Sequence, residues 1–164
     1  MSKIKFLLSS LQIFILLSIL SLSSSSSMVY TPQSLFSYLV DPRNLHLLNP
    51  YNSYFRIVDP LNYVPDKREL YSLFNLFENV GNGIPILCIV DRIHLDYKSN
   101  YGIEKFSEEL LHLMFNRDEK YEKWAVLIMF SIEDRMMRIS TGKEVRKFIT
   151  DYYAKTLLNE IKPF

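Results

Sequence analysis

The chain has 164 residues, 48% of them hydrophobic and 23% charged, which suits one globular domain with its own core and argues against disorder. Its net charge is +1, and setting aside Lys3 and Lys5 leaves 17 basic against 18 acidic side chains, so it has no basic field for nucleic acid. Nothing repeats at a fixed period, which excludes a solenoid.

The N-terminus reads "MSKIKFLLSSLQIFILLSILSLSSSSSMVY". Two lysines precede an apolar stretch over residues 6–22, and the serine tract 23–27 offers Ser-x-Ser cleavage sites before Met28. Residues 1–27 are therefore expected to be a signal peptide that sends the protein into the secretory pathway, to an extracellular or lumenal site. The apolar part is long for a signal peptide and is diluted by Ser9, Ser10 and Gln12, so the alternative is an uncleaved signal anchor that tethers the protein to a membrane. The only cysteine, Cys88, lies inside "IPILCIV", where it reads as a small buried hydrophobe, and an internal disulfide is impossible. No Asn-x-Ser/Thr sequon occurs.

Residues 28–58 are rich in Pro, Asn, Tyr and Ser and read as an irregular lead-in with one short strand at 55–58. Asp66 and Glu69 have capping-box spacing and open a helix whose apolar stripe is Leu70, Leu73, Phe74, Phe77 and Val80, with Gly81 and Gly83 ending it. "IPILCIVD" is a strand covered on both faces. Helical spacing returns at Ile103, Phe106, Leu110 and Met114, and "WAVLIMFSI" is a second buried strand, which makes a parallel crossover unit. Glu133 and Asp134 have turn chemistry. "RMMRIST" then alternates, with Met137 and Ile139 on one face and Met136, Arg138 and Ser140 on the other, as a third strand antiparallel to the second. Thr141 and Glu144 form a second capping box around Gly142, leading into a helix through Val145, Phe148, Ile149 and Tyr152. Thr150 or Asp151 recaps that helix before Leu157, Leu158 and Ile161, and Pro163 stops it. The expected fold class is α/β, a three-layer α/β/α sandwich on a small mixed sheet, with Phe74, Leu87, Ile89, Phe106, Leu127 and Met129 in the core.

That order of elements, with "IVDPLNYVPDKRELYSLF", "VLIMFSIEDRMMRISTG" and "RKFITDYYAKTLLNEIKPF", resembles the TPM domain family of thylakoid-lumen, photosystem-II-repair and acetylcholine-receptor-modulator proteins. The resemblance covers the chain from about Val58 to Phe164. Asp134-Arg135, "ISTG" and "ITD" look most like the branch of levamisole-receptor modulators. It departs from the family in three places: "FNRDEKYEKW" replaces a Gly-rich loop, extra cysteines are missing, and the chain stops at "IKPF", without the usual further C-terminal helix or membrane segment. The domain plan is thus a signal at 1–27, a lead-in at 28–58 and a TPM-like domain at 59–164. The resemblance implies an auxiliary interaction module for a protein partner such as a membrane receptor or ion channel, whose partner would supply the membrane location.

Candidate chemistry is sparse. Asp59, Asp91, Asp134 and Asp151 sit near strand ends or helix starts, and oxygen ligands of this kind suit calcium or magnesium, although each also has a turn or capping role. Plant relatives that resemble metal-binding acid phosphatases give the alternative reading, a metal-dependent phosphatase. His46, His94 and His112 show no zinc-ligand spacing, no Gly-x-Ser-x-Gly elbow is present, and both glycine-rich phosphate fingerprints are missing. Arg135, Arg138 and Arg146, with Lys143 and Lys147, form a basic cluster around the hairpin that could meet an acidic partner, so the three arginines are the candidate partner-binding residues.

Overall fold

The computed structural model describes residues 27–47, 56–79, 83–115 and 119–161. Four strands, β2 (Ile57–Val58), β3 (Ile84–Val90), β5 (Ala125–Ser131) and β6 (Met136–Thr141), form a sheet in the order β2-β3-β5-β6. β2 and β3 run parallel, as do β3 and β5, whose register extends from Ile84↔Ala125 to Val90↔Ser131; β5 and β6 are antiparallel. A second, parallel pair joins β1 (Val29–Tyr30) to β4 (Arg92–Ile93).

The two apolar runs expected as doubly covered strands serve two cores, because successive side chains on a strand point to opposite faces. Ile86, Cys88 and Val90 of β3, with Ala125, Leu127 and Met129 of β5, meet α1 (Pro32–Val40) and α3 (Asn100–Met114) through Leu35, Leu39, Ile103, Phe106 and Leu110. Leu87 and Ile89, with Val126, Ile128 and Phe130, meet α2 (Arg68–Asn79) and α5 (Asp151–Ile161) through Leu70, Phe74, Phe77, Ala154 and Leu157. A short helix, α4 (Glu119–Glu122), precedes β5. The result is a three-layer α/β/α sandwich on a mixed sheet, and all six expected core residues are buried. Arg56 is also buried, its guanidinium donating to Asn75 Oδ1 and Glu78 Oε1, each at 2.8 Å, and lying over the Phe74 ring.

The lead-in is less irregular than its composition suggests. Thr31 and Ser34 form a capping box with Pro32 in the first turn, and α1 then packs on α3, burying Leu35 and Leu39 at the three- and four-residue steps of a short amphipathic helix. The short strand is present at Ile57–Val58. Asp66 does not form the expected capping box with Glu69. Its Oδ1 instead accepts from the Arg68 N–H two residues on, at 3.0 Å, and its carboxylate pairs with the Arg68 guanidinium.

The Thr141–Glu144 capping box is also absent. Thr141 is the last residue of β6, Gly142 N donates to Ala125 O at 2.8 Å, and Glu144 caps with no side-chain bond, so the ladder runs on into a 3₁₀ turn at Val145–Lys147. Thr150 Oγ1 then accepts from Tyr153 N and starts α5 as a separate helix. Because the chain breaks there, Val145 and Ile149 are buried while Phe148 and Tyr152 are exposed, against the single apolar face expected for all four. Residues 1–26 of the signal peptide expected at 1–27, with Val80, Gly81 and Pro163, lie outside the described residues. No helix among the described residues is long and apolar enough to cross a membrane.

Candidate functional site

Asp59 follows β2, Asp91 follows β3, and Asp134 lies in the turn after β5, so three of the four candidate aspartates stand at the carboxyl ends of neighbouring parallel strands. Ligands of open α/β sheets gather at that edge. Asp151 is elsewhere, exposed in the first turn of α5 with Arg146 Nε 3.9 Å away.

Each of the three has its own internal partners. Asp59 closes the turn after β2, its two oxygens accepting from Tyr63 N at 2.8 Å and Val64 N at 2.9 Å, with Lys67 Nζ 3.4 Å from Oδ2. Burial pushes its carboxyl up, and the Val64 N–H and Lys67 offset only part of that rise. Asp91 is 2% exposed; its Oδ2 accepts from the Met28 N–H at 3.0 Å. Asp134 accepts from Ile93 N at 2.8 Å and Ser131 Oγ at 2.7 Å on Oδ2, while Lys98 Nζ lies 2.7 Å from Oδ1. Burial pulls the Asp134 carboxyl upward, but Lys98, Ser131 and the Ile93 N–H together hold it below the usual carboxylate range. Burial, followed by the Asp91 charge, pushes the Tyr30 hydroxyl up to about 12.

Calcium takes six to eight oxygen ligands, and magnesium a near-ideal octahedron of them. Here backbone N–H groups and two lysines already occupy the carboxylates, and among the described residues no group of three or more His, Cys, Asp or Glu side chains could hold a metal.

A second locus lies between β6, the side of α3 from Glu104 to His112, and the start of α5. It is a cleft of about 460 Å³ whose lining includes Glu104 of α3, Arg138 and Ser140 of β6, and Lys143, Arg146 and Asp151. Arg138 Nη2 donates to Glu104 Oε1 at 2.6 Å, and Arg146 Nη2 donates to Thr141 O at 3.3 Å. Arg138 Nε and Ser140 Oγ are buried with no hydrogen-bond partner among the described residues, although buried polar groups are nearly always satisfied. Arg138 and Arg146 therefore share this cleft. Arg135 does not line it: it is exposed in the β5–β6 turn at φ +53°, at the other end of β6.

The matched elements now decide the family. The TPM domain family model covers residues 75–164, more than half of the chain. The chain belongs to the TPM domain family. Comparison with curated proteins and with solved structures finds no match. Within this TPM domain the matched span begins inside α2 and takes in β3 to β6, so it contains Asp91, Asp134, Asp151 and the three arginines, while Asp59 precedes it.

Lys98, Ser131, Lys67, Tyr30 and the Met28 N–H were not anticipated as parts of the TPM domain's carboxyl edge. Ser131 carried a faint signal as the polar end of an apolar strand. Lys98 carried none, because its partner is supplied by a distant hairpin.

Proposed function

We propose that the protein is a non-enzymatic interaction module on the extracytoplasmic side of the cell, an auxiliary modulator of a membrane receptor of the acetylcholine-receptor kind. Supporting this reading is the mixed-charge cleft beside β6, which Arg138 and Arg146 both line and where Arg138 Nε and Ser140 Oγ are buried with no partner among the described residues. An acidic or carbonyl-rich segment of a protein partner would meet the arginine forks. At the carboxyl edge, by contrast, Asp59 and Asp134 already face Lys67 and Lys98.

The test is recovery of membrane proteins from native membranes with the mature protein as bait. Arg138→Gln combined with Arg146→Glu is the variant, since a carboxylate at 138 would be repelled by Glu104. Recovery that falls in the variant, together with its salt sensitivity, supports the module. Recovery of the same proteins at the same salt contradicts it.

One observation favours the second reading, an acid-phosphatase-like enzyme: Asp59, Asp91 and Asp134 share the edge where α/β enzymes place their chemistry. Lys98 and Lys67 weigh against it, because they pair with Asp134 and Asp59, two of those three carboxylates.

A further inference from the structure

Asp91 is a buried carboxylate with no lysine, arginine or histidine within ion-pair distance among the described residues. Its side chain has one hydrogen bond there, from the Met28 N–H. Leaving a carboxylate buried with a single neutral amide donor is costly.

Met28 is fixed at two further points. Its carbonyl accepts from Arg92 N at 3.3 Å, and its Sδ accepts from the Tyr30 hydroxyl at 3.3 Å, so β1 delivers the Met28 nitrogen to Asp91 in register with β4. The chain just upstream is the serine tract, with Ser25 and Ser27 at the two positions where a secretory leader needs small residues before its scissile bond.

We propose that the Ser27–Met28 bond is the processing site of this chain and that the α-ammonium it releases is the missing counter-charge of Asp91. This rests on the secretory reading. Water adds across the peptide bond during translocation, before the domain folds, under a leader-removing endopeptidase. Ser27 leaves with the new carboxylate, and Met28 keeps the amine, which takes a proton. A peptide N–H offers one neutral donor, whereas the ammonium offers three and a full charge, and such charge-assisted bonds are about twice as strong. Cleavage one or two serines earlier would carry the charge away from Asp91, so the position of the bond matters as well as its breakage. The pair would pin β1 and, through it, α1 and Tyr30 to the carboxyl edge.

The full chain expressed in a secretory host and sequenced from its N-terminus should begin at Met28. A mature start at another serine overturns the assigned bond; a cytosolic chain still beginning at Met1 overturns the secretory reading itself. In the secreted protein, acetylation of the α-amine at neutral pH should be roughly tenfold slower in the native state than in urea, and Asp91→Asn should remove that protection. If Asp91→Asn does not fold, the native-against-urea comparison decides alone. Equal rates in the two states overturn the ion pair.

Discussion

Lys98 Nζ lies 2.7 Å from Asp134 Oδ1, so the turn after β4 is clasped to the β5–β6 hairpin by a charge pair. Ser131 Oγ lies 2.7 Å from Asp134 Oδ2 and 3.2 Å from the Asp91 carbonyl, so its one proton is shared between them and ties the ends of β3 and β5 into the same clasp.

The clasp sets a dependence on acid. Because Lys98, Ser131 and the Ile93 N–H hold the folded Asp134 below the unfolded value, its contribution is present above the ordinary carboxylate pKa of about 3.9 and is lost as pH falls through the folded value. Lys98→Met should raise the folded value and start that loss at a higher pH. Thermal midpoints across the acid range check this, and superimposable profiles for the two proteins would show that the pair has no such effect.

Leu127 sits on β5 in the α1/α3 layer with none of its surface exposed. Leu127→Ala should cost about 2–5 kcal/mol in denaturant melts, the loss of buried methyls plus the cavity they leave. A loss within a few tenths would mean that the site collapses freely.

Gly83 precedes β3 at φ +121°, and a Cβ there would meet Trp124 O at 2.6 Å and Val145 Cγ2 at 2.8 Å. The carbonyl cannot give way easily, since it accepts from Ile84 N at 2.7 Å. Gly83→Ala should therefore destabilise by roughly 1–3 kcal/mol, while Tyr152→Ser, at a position 83% exposed, stays within about 0.5 kcal/mol of the parent. Equal melts for both variants would place the constraint elsewhere.

Binding and stability should separate at Arg138. Its pair with Glu104 is part-exposed on both sides, so Arg138→Gln should change stability by no more than about 1 kcal/mol while lowering partner recovery. Melting curves run beside the recovery assay check both halves.

The layers were legible because β3 and β5 are apolar runs of strand length and α3 keeps one stripe from Ile103 to Leu110. Helix α1 was not, since its Pro-, Ser- and Tyr-containing sequence hid the Thr31–Ser34 box and the Leu35–Leu39 step. The hairpin was legible from the alternation of β6, but its exit was misread: Thr141 and Glu144 have capping spacing, yet Gly142 and Glu144 give their N–H groups to Ala125 and Lys123, and this pairing outcompetes a local cap. At the carboxyl edge, the end of each apolar run located Asp91 and Asp134. Their partners could not be read, because the donor to Asp91 lies 63 residues away and the lysine on Asp134 comes from another loop. β6 separates the basic cluster, because Arg135 precedes one end of it and Arg146 follows the other.

Hydrolysis of a chromogenic phosphate monoester by the protein, with and without added calcium or magnesium, separates binding module from enzyme most directly. The module gives no turnover above that of heat-denatured protein under any of these conditions. Turnover that Asp91→Asn and Asp134→Asn each abolish, in variants whose melting curves show an intact fold, would contradict it and return the carboxyl edge to catalysis.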